Sequence, residues 1–223
     1  MNGNTTGRRP VRRTAGWLAA LILAVSGAVM IKGSLGDGGP DGTLTDMHGN
    51  QVTISGGGIP SEDLTRRMNV GQGAGATVIV PAVGLTVPLG ELSAVDGEIT
   101  PPGFAEIYHV RNRGVSLDQA GSGTVYLVTH SVVGGYAPGN AVMDPADGRS
   151  LLTPGDSIDV SGLRYRVASH ELVVKDDLPG LPGVWNDAAG RLVFITCLIR
   201  GNAETSENLV VTAMLEGPSV DGD

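Results

Sequence analysis

From Thr77 to Gly217 the chain consists of short runs rich in β-branched residues, separated by Gly, Pro and Asp at turn positions. This spacing of turn signals favours an all-β barrel or sandwich that folds as one domain over 77–217. The helical pattern is weak, and its best candidate is a short segment at Ser116–Ala120. The predicted strands are Thr77–Val80, Leu85–Val87, Thr124–Thr129, Ser157–Val160, Leu163–Val174 (as one strand or two), Leu192–Leu198 and Leu209–Leu215.

The first 32 residues have the pattern of a membrane address. Arg8, Arg9, Arg12 and Arg13 precede an apolar run over 15–31. A helix needs roughly 17–25 apolar residues to span a bilayer, and the positive-inside rule places a basic N-terminus in the cytoplasm. The sequence therefore predicts a basic cytoplasmic tip (1–14) and a single transmembrane signal-anchor (15–32) that contacts membrane lipid, with the main domain outside the cell. A cleaved signal peptide is the alternative.

Residues 33–76 have the composition of a Gly-rich flexible linker. They include 12 glycines and no aromatic residue, so they offer little apolar surface to offset the entropy of ordering the chain. Within them, Gln51–Ser55 is a candidate for a transient strand. Ser61–Met68 is a candidate for one or two helical turns with Ser61 as N-cap. Residues 218–223 are interpreted as a C-terminal tail.

Charge and cysteine content exclude several classes of function. The net charge is −8, and residues 33–223 alone carry 10 basic and 23 acidic groups, so no nucleic-acid partner is expected. The single Cys excludes an internal disulfide framework and a zinc-finger type of cluster. Acidic pairs such as Asp144 and Asp147 lack the spacing of an EF-hand loop. No cofactor or metal site is predicted, and calcium has no support.

Cys197 is the only thiol, and it ends the apolar run Leu192–Cys197. A lone Cys is more often a small buried hydrophobic residue than a nucleophile. Two features favour a nucleophile here. The residue lies just before a polar segment, and an exported thiol is exposed to oxidation, a hazard that Val or Ala would avoid.

His130 ends a second apolar run, 67 residues before Cys197. A Cys and a His at two strand ends fit the logic of an activated thiol nucleophile. A thiolate needs a lowered pKa or a nearby cation, and an oxyanion needs a fixed donor. Arg200, three residues after Cys197, is the candidate for this role, with an ordinary solvated Arg as the alternative.

The order of these features resembles the sortases, the cysteine transpeptidases that attach proteins to the Gram-positive cell wall. The matching pieces span 77–217, and the Gly-rich, Ala-rich composition is similar to actinobacterial class E or F members. The matching segments are Val80–Pro88, Gly97–Pro102, Val128–Ser131, Leu152–Val160, Phe194–Cys197 and Asn208–Ala213. In the T-L-x-T-C motif only Thr196-Cys197 is kept. The family's catalytic Arg usually stands just before the last strand, where this chain has Thr205-Ser206-Glu207-Asn208.

The resemblance implies a closed β-barrel of about eight strands with short helices, preceded by the transmembrane helix. It implies that Cys197 attacks an L-P-x-T-G-like sorting signal, that His130 protonates the leaving amine, and that Arg200 stabilises the oxyanion. Thr196, Thr129 and Ser131 are the expected substrate contacts. The implied partners are proteins with a C-terminal sorting signal and a cell-wall or pilin amine as acceptor.

Two alternatives remain at this point. One is a non-catalytic sortase-like surface barrel that binds a peptide or wall component, which the missing Arg favours. The other is a wall-binding or adhesion module in which Cys197 is merely buried. An active thiol should react with a peptide-like electrophile far faster than a small-molecule thiol does. A merely buried thiol should react slowly until the protein unfolds.

Overall fold

The computed structural model describes residues 30–31, 42–54 and 59–217. In chain order the strands are β1 (Met30–Ile31), β2 (Gly42–Thr45), β3 (Gln51–Ile54), β4 (Gly71–Val80), β5 (Leu85–Leu92), β6 (Glu98–Ile99), β7 (Ile107–Gly114), β8 (Thr124–Thr129), β9 (Met143–Asp144), β10 (Arg149–Ser150), β11 (Ser157–Val160), β12 (Leu163–Val174), β13 (Arg191–Arg200) and β14 (Ala203–Leu215). The helices are α1 (Glu62–Arg67), α2 (Pro138–Ala141) and α3 (Pro182–Trp185), with 3₁₀ turns at Pro81–Val83, Leu117–Gln119 and Leu178–Gly180.

Eight strands form a closed barrel in the order β11-β12-β14-β13-β8-β7-β5-β4, and β4 pairs back with β11. Neighbouring strands are antiparallel except for two parallel pairs, β5 with β7 and β13 with β8. Because side chains alternate between the two faces of a strand, each strand contributes to two apolar layers. Residues such as Leu127 and Phe194 fill the barrel. Val128 and Ile195 face outward, under α3 and the segment around Met68.

The mainly β class and the closed barrel of eight strands are confirmed. Thr124–Thr129, Ser157–Val160 and Leu163–Val174 have the predicted bounds, and Leu163–Val174 is one strand. The helical candidate near Ser116 is a 3₁₀ turn at Leu117–Gln119. No strand is predicted from the sequence at Ile107–Gly114. The first half of this strand is buried and its second half is polar, so the segment has no continuous apolar run.

The region predicted as a flexible linker differs from that prediction. It contains the β2–β3 hairpin, α1 and the first part of β4. Ser61 caps α1 as expected, accepting a hydrogen bond from the Leu64 backbone N–H at 3.2 Å. Val52 and Met68 are both buried, which supplies the apolar contact that the composition did not indicate.

The predicted cytoplasmic tip and the tail at 218–223 lie outside the described residues. So does the signal-anchor, except for Met30–Ile31, which pair as a short strand with β6 rather than continuing a helix. In the part of the chain that the structure describes, no helix is long and apolar enough to cross a membrane.

Candidate active site

The two predicted catalytic residues lie on neighbouring strands: His130 directly follows β8, and Cys197 lies within β13, three residues before its end. In the parallel pair of β8 and β13, Thr129 is the partner of Thr196. His130 directly follows Thr129, and Cys197 directly follows Thr196. Since neighbouring strands run about 4.8 Å apart, the register brings the backbones of these two residues together. Alternation along β13 places Cys197 on the outer face of the barrel, with Ile195 and Val193.

His130 is held in one orientation by its surroundings. It is 4% exposed, its Nε2 lies 2.8 Å from the carbonyl oxygen of Pro101, and the ring of Phe104 packs edge-on at 5.1 Å. A carbonyl only accepts, so Nε2 carries the proton and Nδ1 is the basic nitrogen of the neutral ring. Burial lowers the pKa of His130 below its ordinary 6.5, opposed by the hydrogen bond to Pro101 and by the charge of Glu204. The ring is therefore neutral at pH 7 and available as a base.

Cys197 is buried as well, at 2% exposure. Burial raises the pKa of its thiol to about 12, and the carboxylate of Glu204 contributes by its charge and by a hydrogen bond. The ammonium of Lys175 acts in the opposite direction. The negative charge of Glu204 therefore acts on both the imidazole of His130 and the thiol of Cys197. The thiol and the imidazole are thus both uncharged at pH 7.

A charged pair joins Lys175 to Glu204. The two side chains form an ion pair and are 14% and 10% exposed. A bulge brings them to the thiol: Cys197 is the partner of Asn208, whereas Ile199 is the partner of Glu204. Two steps along β13 therefore correspond to four along β14. Bulges of this kind re-aim side chains beside functional sites.

Arg200 lies elsewhere. Its guanidinium donates to the carbonyl of Asp147 at 3.1 Å and pairs with Glu207 at 3.5 Å, and its side chain is 48% exposed. None of its hydrogen bonds within the described residues reaches Cys197 or His130. The structure does not bring the predicted oxyanion donor to the thiol, because Arg200 sits beyond the bulge, over the β9–β10 turn.

The three predicted substrate contacts make internal hydrogen bonds. Thr129 donates to the carbonyl of Glu106 at 2.8 Å, and the hydroxyls of Ser131 and Thr196 lie 2.8 Å apart. Thr129 and Thr196 alternate with His130 and Cys197 and so face the barrel interior. In this structure the three hydroxyls tie the strand ends together, and their contact with substrate stays a prediction.

Sequence reasoning missed Lys175, Glu204 and Asn208. Asn208 is fully buried and directly opposite Cys197. A signal for it was present, since it occupies the stretch before the last strand where the resemblance places a catalytic Arg. Lys175 and Glu204 gave no signal, because their approach depends on the bulge. Among the described residues no His, Cys, Asp and Glu side chains are grouped as a metal site requires.

No protein-family model matches the chain, and no curated protein matches it. Among solved structures, it is similar to sortase A of Listeria monocytogenes, at 18% identity and a TM-score of 0.47 over 64% of this chain and 86% of that one. It is similar to sortase C-1 from Actinomyces oris, at 18% and 0.44 over 64% and 73%. It is also similar to a Clostridium perfringens sortase D5 transpeptidase, at 18% and 0.44 over 71% and 90%. At this identity nothing about the chemistry of the site follows from the likeness.

Proposed function

We propose that this protein is a sortase-like cysteine transpeptidase. The observation that carries the proposal is the register of β8 and β13, in which Thr129 pairs with Thr196 and the next residues are His130 and Cys197. The base is oriented in turn by a third group, the Pro101 carbonyl. A nucleophile, a base and an acceptor that orients the base are the three groups that thiol acyl transfer requires.

The reaction begins with the Cys197 thiol and the His130 imidazole both uncharged. The Cys197 sulfur attacks the carbonyl carbon of the scissile Thr–Gly bond while the thiol proton passes to Nδ1 of His130. The carbonyl electron pair moves onto oxygen and returns when the C–N bond breaks, and His130 protonates the leaving amine. The product is a thioester on Cys197. An incoming amine attacks it, its proton passes through His130 to the departing sulfur, and a new amide forms.

The resemblance of the sequence motifs to the sortases supports the proposed substrate and setting. The acyl donor is a protein with an L-P-x-T-G-like C-terminal signal, and the acceptor is a cell-wall or pilin amine. The apolar run over 15–31 with its preceding arginines supports a single-pass anchor, a cytoplasmic N-terminus and an extracellular domain. The proposal also includes the sortase class, E or F, which the Gly-rich, Ala-rich composition favours.

The test is turnover of a fluorogenic L-P-x-T-G peptide with and without an amine acceptor. Cys197→Ala and His130→Gln should each lower turnover to background and leave the fold intact. His109→Gln is the matched control, because His109 is also a buried imidazole with a lowered pKa and a hydrogen bond to a backbone carbonyl, that of Val115 at 3.1 Å. Turnover that survives Cys197→Ala, or that His109→Gln removes as fully as His130→Gln, would overturn the assignment.

A second candidate is a non-catalytic barrel that binds a peptide or wall component. The burial of Cys197 and a thiol pKa of about 12 favour it. It predicts saturable binding of the peptide without cleavage, and equal binding by the wild type and Cys197→Ala. Mass spectrometry distinguishes the two candidates, because only a transpeptidase accumulates an acyl adduct on Cys197.

A further inference from the structure

Asn208 lies where a group acting on the Cys197 reaction centre would lie. The two residues are direct partners in the antiparallel pair of β13 and β14. Side chains in such positions have Cβ atoms about 4.5–5.5 Å apart on the same face of the sheet. On β14 that face is shared with Val210, which belongs to the outer apolar layer. Asn208 and Cys197 therefore both project to the outer face.

The carboxamide of Asn208 is buried without a hydrogen-bond partner. The residue is 0% exposed, and among the described residues neither Oδ1 nor Nδ2 has a donor or acceptor within reach. Leaving a buried amide unpaired is costly, and such groups are rare in native proteins. An apolar side chain of the same size would fit this position at lower cost. A function that uses the amide explains its presence.

We infer that Asn208 is the oxyanion donor of the active site, an inference that rests on the acyl transfer proposed above. When Cys197 sulfur bonds to the substrate carbonyl carbon, the π pair becomes a lone pair on oxygen, and Nδ2–H of Asn208 donates to that oxygen. When the pair returns and the C–N bond breaks, the donor is released unchanged. A fixed neutral donor in a buried site is effective because it needs no reorganisation as charge develops.

Neither of the two cations considered for this role is without a carboxylate partner. Lys175 is paired with Glu204, and Arg200 with Glu207. Asn208 alone, among the described polar side chains that adjoin Cys197 on its own face, has donor hydrogens without an acceptor. The stretch that resembles the position of the family's catalytic Arg thus offers a neutral donor in its place.

The experiment compares two reactions of the same thiol in the full chain. Acylation by p-nitrophenyl acetate passes through an oxyanion, whereas alkylation by iodoacetamide does not. Both reagents need the same access to Cys197 and the same loss of its proton, so the ratio of the two rates cancels accessibility and thiol pKa. Rates measured with Cys197→Ala are subtracted as background.

Asn208→Leu should lower the acylation rate by about 10²–10³-fold while alkylation changes by less than about threefold. Asn208→Ala serves if the larger side chain disturbs the fold, which circular dichroism reports. Tyr165→Phe is the matched control, since it also removes a buried polar atom without a partner, the hydroxyl of Tyr165 inside the barrel. This control should leave both rates unchanged.

Equal changes in acylation and alkylation would show that Asn208 acts on the thiol and not on the oxyanion, and would overturn the inference. Unchanged acylation in both Asn208 variants would overturn it too, as would a wild-type thiol that the ester does not acylate. Failure of the proposed function is a separate result. If the ester acylates the wild-type protein with the help of Asn208 but no sorting peptide is cleaved, the assignment of Asn208 as oxyanion donor stands. The proposed transpeptidase function is then wrong.

Discussion

The Lys175–Glu204 ion pair is expected to stabilise the barrel at the active site. The loss of stability on removing one partner can be worked out from the burial of the two side chains. The side chains are 14% and 10% exposed. At 4 Å and an effective dielectric constant near 20, their attraction is about 4 kcal/mol. Removing one partner leaves the other charge buried and unpaired, which costs about 3–5 kcal/mol. For a domain of this size that lowers Tm by about 6–20 °C.

Lys175→Met and Glu204→Gln should therefore lose similar amounts of stability in urea titrations. The double variant should recover most of it, because two neutral side chains replace the pair. The single variants should differ in the reactivity of Cys197. Glu204→Gln removes the charge that helps raise the thiol pKa, so the pKa should fall and alkylation at pH 8 should become faster. Lys175→Met removes the opposing charge, so alkylation should become slower.

The opposite changes in alkylation rate distinguish an electrostatic effect on the thiol from a general loosening of the fold. A general loss of stability would expose Cys197 in both variants and accelerate alkylation in both. The rates are measured with iodoacetamide in the native baseline, well below the urea midpoint of the less stable variant. Acceleration in both single variants, or two single variants as stable as the wild type, would refute the assigned role of the pair.

Four further outcomes are expected. Because Cys197 keeps its proton to about pH 12 in the fold against 9.0 ordinarily, stability should fall above pH 9 by about 1.4 kcal/mol per pH unit, and urea titrations of Cys197→Ala should lack this loss. Because the pKa of His130 is lowered below 6.5, stability should also decline as the pH falls below 6.5, and a decline absent from His130→Gln checks this. Gly139→Ala should destabilise the fold by about 1–3 kcal/mol and slow turnover, since the new Cβ would lie 2.1 Å from the Thr196 hydroxyl; an unaltered melting curve would contradict this. Asp46→Ala should release the β2–β3 hairpin and speed its limited proteolysis. The buried Asp46 carboxylate accepts hydrogen bonds from three donors in the hairpin turn, on His48 and Asn50, and from the backbone N–H of Tyr136.

The strands β8 and β13, which carry the candidate site, could be predicted from the sequence because they are buried on both faces. Thr124–Thr129 is buried at every position, so a near-continuous apolar run marks it. The elements outside the barrel gave a weaker signal. The β2–β3 hairpin is stabilised by a few apolar contacts, such as Val52 with Phe104, and by the hydrogen bonds to Asp46. Contacts of this kind depend on residues far away in the chain, which composition does not report.

The candidate site divides in the same way. Cys197 and His130 could be proposed because each ends an apolar run, a local feature. Arg200 was chosen by its proximity in sequence, and the bulge between Cys197 and Ile199 makes sequence proximity misleading. The bulge directs Glu204 toward the thiol and leaves Arg200 with Asp147 and Glu207. A register shift of this kind depends on pairing across strands, and one strand's sequence does not specify it.

The charge balance of the site explains why a neutral donor suits it. Lys175 and Glu204 compensate each other, while burial keeps both Cys197 and His130 uncharged. An additional guanidinium opposite the thiol would be a buried charge without a partner, and it would cost several kcal/mol. Such a cost is recovered where the thiol ionises and pairs with the cation. Here the thiol stays protonated until His130 takes its proton, so charge appears only as the oxyanion forms. A donor such as Asn208, uncharged before and after that moment, adds no uncompensated charge to the resting site.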